Sequence, residues 1–267
     1  MNNLKNPGDL KNRKDLKNLR DLKNLLDHLY HENNRLEFIT HDPVQFPHRY
    51  KSGPDREVAA ILAATIAWGR RDLILKSAEK MFALLGKSPY SFVMKGDYRI
   101  LKDRCIHRTF FERDLLYFLR GFKACYDKYG SLEALFSSVT ASGAGIWEGI
   151  SLFRETMAGG NSGTYTKHIA NPAANSACKR LHLALRWLVR REGPVDLGLW
   201  KEISPSSLYI PLDLHVGRAA RSLGLLESGR AANDRKAVVL LTEKLKNLCP
   251  EDPVKYDFAL FGYSIMP

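Results

Sequence analysis

Two stretches of this chain of 267 residues carry side chains whose type and spacing could do chemistry. The first is Tyr209-Ile-Pro-Leu-Asp-Leu-His-Val-Gly-Arg-Ala-Ala-Arg-Ser-Leu-Gly-Leu225. Pro211 forces an extended approach, so Asp213 falls where a helix N-cap belongs, and Gly224 ends the helix. Taken alone, that placement asks for no more than a cap worth about 1 kcal/mol. His215 two residues on does not make a metal dyad, because i and i+2 do not share a helix face. The second stretch is Asn175–Arg191. Ala177, Leu181, Ala184, Leu185 and Leu188 recur at helical spacing, and Lys179, His182, Arg186 and Arg190 fall on the opposite face. With Arg180 and Arg191 this run is wholly basic, whereas surface helices normally mix signs to gain i,i+4 pairs. A row of unmatched cations suits the phosphates of a polyanion.

The remaining elements must position these residues, and they read as helices. Val58-Ala-Ala-Ile-Leu-Ala-Ala-Thr-Ile-Ala-Trp68 is apolar almost all round, so it should be buried on every side, with Asp55 as its cap and Gly69 as its stop. Further helices are expected over 72–85, ended by Gly86, and over 110–129, ended by Gly130, with a short one starting at Ser131. Ile150–Met157, 214–223 and 236–248 complete the set. No run of alternating β-branched residues with hairpin turns stands out, so the expected class is all-α. Leu4, Leu10, Leu16 and Leu22 head a six-residue repeat. Successive repeats step about 240° around a helix, a poor amphipathic pattern. Residues 1–26 are therefore expected to be a basic, low-complexity extension that becomes helical only toward Leu22–Tyr30.

The composition narrows the class without naming an activity. The chain has 41 Lys+Arg against 29 Asp+Glu, a net charge of +12, and 45% hydrophobic residues, which is globular rather than disordered. No apolar run reaches the ~18–20 residues that span a bilayer, and no apolar stretch follows Met1, so the expectation is a cytoplasmic protein. Cys105, Cys125, Cys178 and Cys249 are too scattered for a zinc ribbon or an iron–sulfur loop and are expected as buried free thiols. The His41-Asp42 dipeptide could suit a helix-borne metal dyad, as in a phosphohydrolase, but Pro43 directly after it spoils such a helix.

A resemblance joins the two stretches. Pro211-Leu-Asp-Leu-His-Val-x-Arg218 with Leu223-Gly-Leu225 resembles the Asp-Thr-His-Val-x-Arg…Leu-Gly-Leu segment of helix–hairpin–helix DNA glycosylases. Ala67-Trp-Gly-Arg-Arg-Asp72 resembles that superfamily's early helix end and the loop that reaches into DNA. Arg108-Thr-Phe-Phe-Glu-Arg-Asp114 and Tyr129-Gly130 resemble the helix before the hairpin, and Cys178-Lys-Arg180 the position of a Schiff-base lysine. Asp252-Pro-Val-Lys-Tyr-Asp-Phe-Ala-Leu-Phe-Gly262 is similar to the closing helix of the archaeal 8-oxoguanine glycosylase branch. That branch, like the 34 residues from Lys179 to Asp213 here, separates lysine and aspartate widely. The nearest likeness is to an uncharacterised bacterial family with the same Lys-Arg-Leu…Leu-Arg-Trp and Pro-Leu-Asp-x-His-Val strings. The resemblance covers roughly residues 40–265. It departs at the Leu-Pro-Gly-x-Gly hairpin, replaced by Asn171-Pro-Ala-Ala-Asn-Ser-Ala-Cys178, at Leu214 where Thr is usual, and in lacking the iron–sulfur cysteines.

The resemblance implies two helical subdomains with a cleft between them, residues 27–54 plus 192–267 forming one and 55–191 the other. It implies a monomer acting on damaged duplex DNA, without membrane, metal, cofactor or iron–sulfur cluster. Asp213 is implied as the catalytic carboxylate and Lys179 as a nucleophile for lyase chemistry. Trp68 and Trp187 are then candidates to stack on an extruded base. Arg70 and Arg71 are candidates to brace the DNA gap, and His182, Arg186, Arg190 and His215 to contact the strand. The rival expectation keeps the fold but drops catalysis, leaving a basic helical module that binds nucleic acid.

Overall fold

The computed structural model describes residues 19–227 and 233–266, and over them the chain is all-α, with one minimal hairpin. The helices are α1 (Leu19–Asn33), α2 (Leu36–Thr40), α3 (Gln45–His48), α4 (Gly53–Thr65), α5 (Arg71–Leu85) and α6 (Pro89–Lys95). After the antiparallel strands β1 (Cys105–His107) and β2 (Phe110–Phe111) come α7 (Glu112–Tyr129), α8 (Leu132–Thr140) and α9 (Ile146–Gly159). The chain closes with α10 (Lys179–Val189), α11 (Leu214–Ser222), α12 (Arg235–Lys246) and α13 (Tyr256–Ser264).

The apolar helix is central, as its composition requires: every residue of α4 from Glu57 to Thr65 is buried, and α10 and α3 pack on it. Its cap is Ser52, whose Oγ accepts from the Asp55 N–H at 3.4 Å, and not Asp55. Asp55 instead accepts from Ser88 Oγ at 2.7 Å and the Tyr90 N–H at 2.9 Å, fastening the start of α6. Glu57 sits inside the core. Its carboxylate accepts from Tyr126 Oη (2.8 Å), Trp200 Nε1 (2.7 Å) and the N–H groups of Leu132 (3.3 Å) and Glu133 (3.1 Å). Burial still holds its carboxyl above the usual range, with those hydrogen bonds opposing the shift.

The helices α7, α8 and α9 pack on one another. Gly121 is required where α7 meets α9, because a Cβ there would stand 2.6 Å from Met157 Sδ and 3.1 Å from its Cα. At the other side α1 and α11 both lie against α13, so the two ends of the described chain meet. Here the expected extension is corrected. Leu22, Leu25, Leu26 and Leu29 are buried, because from Leu22 onward the six-residue spacing gives way to steps of three, one and three that form a stripe. The boundary expected at residue 26 therefore lies inside α1, while residues 1–18 lie outside the described residues. One continuous buried cluster runs from α1 to α13. The four cysteines are free; Cys125 and Cys178 are buried, but Cys105 is exposed at the start of β1, against expectation. No helix among the described residues is long and apolar enough to cross a membrane.

Candidate active site

The carboxylate and the lysine converge. Pro211 and Leu212 approach α11 in irregular backbone, and Asp213 (φ −109°, ψ −170°) is its N-cap. Asp213 Oδ1 accepts from the Val216 N–H at 2.8 Å, which fixes the side chain and leaves Oδ2 at 3.5 Å from Lys179 Nζ. The backbone is fixed too: Asn233 Nδ2 donates to the Asp213 carbonyl at 2.7 Å, and Arg221 Nη2 holds Asn233 Oδ1 at 2.8 Å. Lys179 is the first residue of α10, which begins without a side-chain cap after Cys178 in the left-handed region (φ 45°). The preceding segment is pinned to the start of α12, with the Arg235 N–H donating to the Asn175 carbonyl at 3.0 Å and Asn175 Nδ2 to Asp234 at 3.1 Å.

Lys179 and Asp213 share a cavity of about 780 Å³. Its apolar wall includes Phe38, Phe258 and Phe261, and its polar wall Asp42, Arg71, Arg186 and Asp257. Trp68 and Lys179 also line an adjoining cavity of about 610 Å³ with Lys167, His168 and Arg180. Trp68 is held at the junction: its carbonyl accepts from His107 Nε2 at 2.8 Å, and Arg180 lies 5.0 Å from its ring centroid. Gly69 beside it needs to be glycine, with φ at +98° and a Cβ that would approach Arg108 Nη1 to 2.6 Å.

The expected basic face of α10 divides. Lys179 reaches the cavity, but His182, Arg186, Trp187 and Arg190 are buried and cannot form a surface row against DNA. The physical reason is that both faces of α10 are covered, and the carboxylates that answer its cations lie just past the helix end (Asp196) or far along the chain (Asp252 and Asp257). Arg186 pairs with Asp196 at 3.2 Å and with Asp257; Arg190 pairs with Asp252 at 2.8 Å and with Asp196. His182 lies edge-on to Trp147 at 4.6 Å with neither ring nitrogen hydrogen-bonded; burial pushes it down to about 3, so it is neutral. Trp187 is fully buried core.

Of the other expected residues, Trp68, Arg71 and His215 line the cavity of Asp213, Arg71 with its guanidinium 5.2 Å from the Phe261 ring centroid. Arg70 is exposed, outside that wall, and paired with Asp72 at 2.8 Å. Of the wall residues, Phe38 carries no signal in the sequence, and Asp257 and Phe261 figure there only as part of the 252–262 closing-helix string. Asp42 had been noticed only beside His41. Its Oδ1 accepts from the Val44 N–H at 3.0 Å. Burial raises its carboxyl above the ordinary range, with the Val44 N–H and the charges of Arg71, Arg186 and Lys179 opposing. Asp257 is pushed up to about 6, chiefly by burial; Arg186 opposes the shift and the Asp213 charge adds to it. Chemically, the site offers a fixed carboxylate, an amine beside it, and an apolar chamber ending in carboxyl groups that hold protons more tightly than usual.

Residues 42–266 match the family described as Protein of unknown function (DUF2400), and the chain belongs to that family. The matched span includes Lys179, Asp213 and all of the residues described above as lining their cavity except Phe38. No curated protein and no solved structure matches the chain.

Proposed function

We propose that the protein is a DNA glycosylase that hydrolyses the N-glycosidic bond of a damaged base. The observation that carries this reading is the Lys179–Asp213 pair, 3.5 Å apart at the wall of an aromatic-lined cavity. Departure of a base builds positive charge on the deoxyribose. A carboxylate held by its own helix start stabilises that charge without having to reorganise, and it can take the proton of the attacking water. Reaction inside the duplex is impossible, so the target must be extruded, and the chamber bounded by Phe38, Phe258 and Phe261 has the apolar character to receive it. Trp68 and Arg71 at the rim are placed to hold the neighbouring strand. If Lys179 attacks C1′ itself, it must first be neutral, and Asp213 is the nearest acceptor for its proton.

The burial of Arg186 and Arg190 takes the basic face of α10 out of DNA contact on either reading, and the pairing of Lys179 with Asp213 is what favours catalysis over a merely basic binding module. A panel of duplexes carrying 8-oxoguanine, uracil, alkylated purines or mismatches tests the reading. Wild type is expected to release a base from at least one, and Asp213→Asn to release none while its DNA affinity stays within about threefold. Equal turnover by Asp213→Asn contradicts the assignment. Borohydride trapping tests the lyase half: a covalent adduct lost in Lys179→Gln supports it, and the absence of an adduct in wild type restricts the enzyme to hydrolysis.

A further inference from the structure

The buried ion network beside the site holds one carboxylate too many. Arg186 and Arg190 face Asp196, Asp252 and Asp257, with Asp196 shared between both guanidinium groups. Arg190 and Asp196 are sealed in the core, and Asp252 is almost so. A desolvated cluster with an unbalanced charge is costly, and a single proton neutralises it. Of the three carboxyl groups only Asp257 lines the cavity of Lys179 and Asp213. Its Oδ2 accepts from Arg186 Nη1, and its Oδ1 takes no hydrogen bond among the described residues. The network's proton therefore has one place where it is both needed and within reach of a ligand.

We propose that Asp257 is the general acid of the reaction, donating its proton from the cavity wall to a ring nitrogen of the departing base. This rests on the glycosylase reading above and adds a second catalytic residue to it. In the step, the C1′–N bond breaks with its electron pair going to the base, which leaves neutral because it has received the Asp257 proton. Asp213 stabilises the sugar cation and accepts a proton from the water whose oxygen bonds to C1′. Asp257 is left ionised and is recharged from solvent.

The surroundings suit the role. Arg186 holds one oxygen and so orients the carboxyl group, while burial favours its protonated form and pushes it up to about 6. Arg186 and Lys179 from α10 oppose that protonation, and Asp213, the N-cap of α11, and Asp196 favour it; Arg71 from α5, Asp42 and the exposed His215 also line the cavity. Asp42, whose carboxyl burial also raises, is the alternative acid on the same wall, but its Oδ1 is already occupied by the Val44 N–H.

Single-turnover base release on the lesion panel, measured across pH for wild type, Asp257→Asn and Asp257→Glu, decides the matter. The wild-type rate is expected to lose a contribution as pH rises through the range in which Asp257 deprotonates. Asp257→Asn is expected to be slower by about 100-fold, without that limb, with DNA affinity retained and a melting temperature no lower than that of wild type. Asp257→Glu, which restores an acid, is expected to recover part of the rate together with a pH-dependent limb. An Asp257→Asn enzyme that keeps the wild-type rate and pH profile overturns the proposal while leaving the glycosylase reading intact. Equal loss in Asn and Glu variants also overturns it and makes the residue structural. If wild type releases no base from any duplex, the glycosylase reading itself fails, and this proposal with it.

Discussion

The two carboxylate oxygens of Asp213 have different partners. One satisfies the Val216 N–H and the other faces Lys179, so the cap that anchors α11 also fixes the oxygen beside the amine. Asp257 gives one oxygen to Arg186 and lines the same cavity. Its unusual affinity for a proton has a consequence that does not depend on any activity. Folding takes it from the usual 3.8 up to about 6, so between those values the folded state binds more protons than the unfolded one, and stability from this group is lost as pH rises through that window. Asp257→Asn is neutral throughout. Relative to wild type it should be close to equal in stability near pH 4 and more stable above pH 7, by on the order of 2 kcal/mol. Urea midpoints at the two pH values check this; a variant less stable than wild type above pH 7 would show that the Arg186 ion pair outweighs the burial.

At the level of elements, the site depends on where helices begin. The starts of α10, α11 and α12 lie together through Asn175, Asp213, Asn233 and Asp234, so the segment before α10 acts as a clasp. Gly69 lines the cavity from the loop after α4, which ends at Thr65 and not at Gly69 as its sequence suggests. Gly69→Ala should cost about 1–2 kcal/mol for the positive φ alone. Thermal melts of the variant against wild type check this; an unchanged melting temperature would show that the loop tolerates a side chain there. Much of this level was legible in the residues. Proline and glycine mark the boundaries of α5, α7 and α11, and Asp213 was identifiable as a cap. The basic face of α10 was not. Its partners Asp196, Asp252 and Asp257 are remote or lie past the helix end, so a helical wheel shows three cations and a histidine without the carboxylates that pair with Arg186 and Arg190 in the core. The short β1–β2 hairpin was missed because five strand residues are too few to show alternation.

Across the whole molecule, the positive charge that first suggested a polyanion is distributed differently from what the sequence suggests. Part of it is neutralised inside the core, and the cations left near the cavities are few: Lys179, Arg71, Lys167 and Arg180. The fold that carries them is held at its centre by Glu57, whose removal strands donors from Tyr126, Trp200 and the start of α8. Glu57→Ala should destabilise by about 3–5 kcal/mol, against less than half of that for Glu57→Gln, which keeps an acceptor. At the other end, Leu26→Ala should cost about 2–5 kcal/mol because the residue is fully buried under α13. A loss under 0.5 kcal/mol would return this segment to the status of an extension. The central claim is that the Lys179–Asp213 cavity breaks glycosidic bonds, and free base released from lesion-bearing duplex, quantified chromatographically for wild type and Asp213→Asn at matched DNA occupancy, tests it most directly. Release by wild type and none above background by the variant is the predicted result; equal release by both, or none by wild type from any lesion, would contradict it.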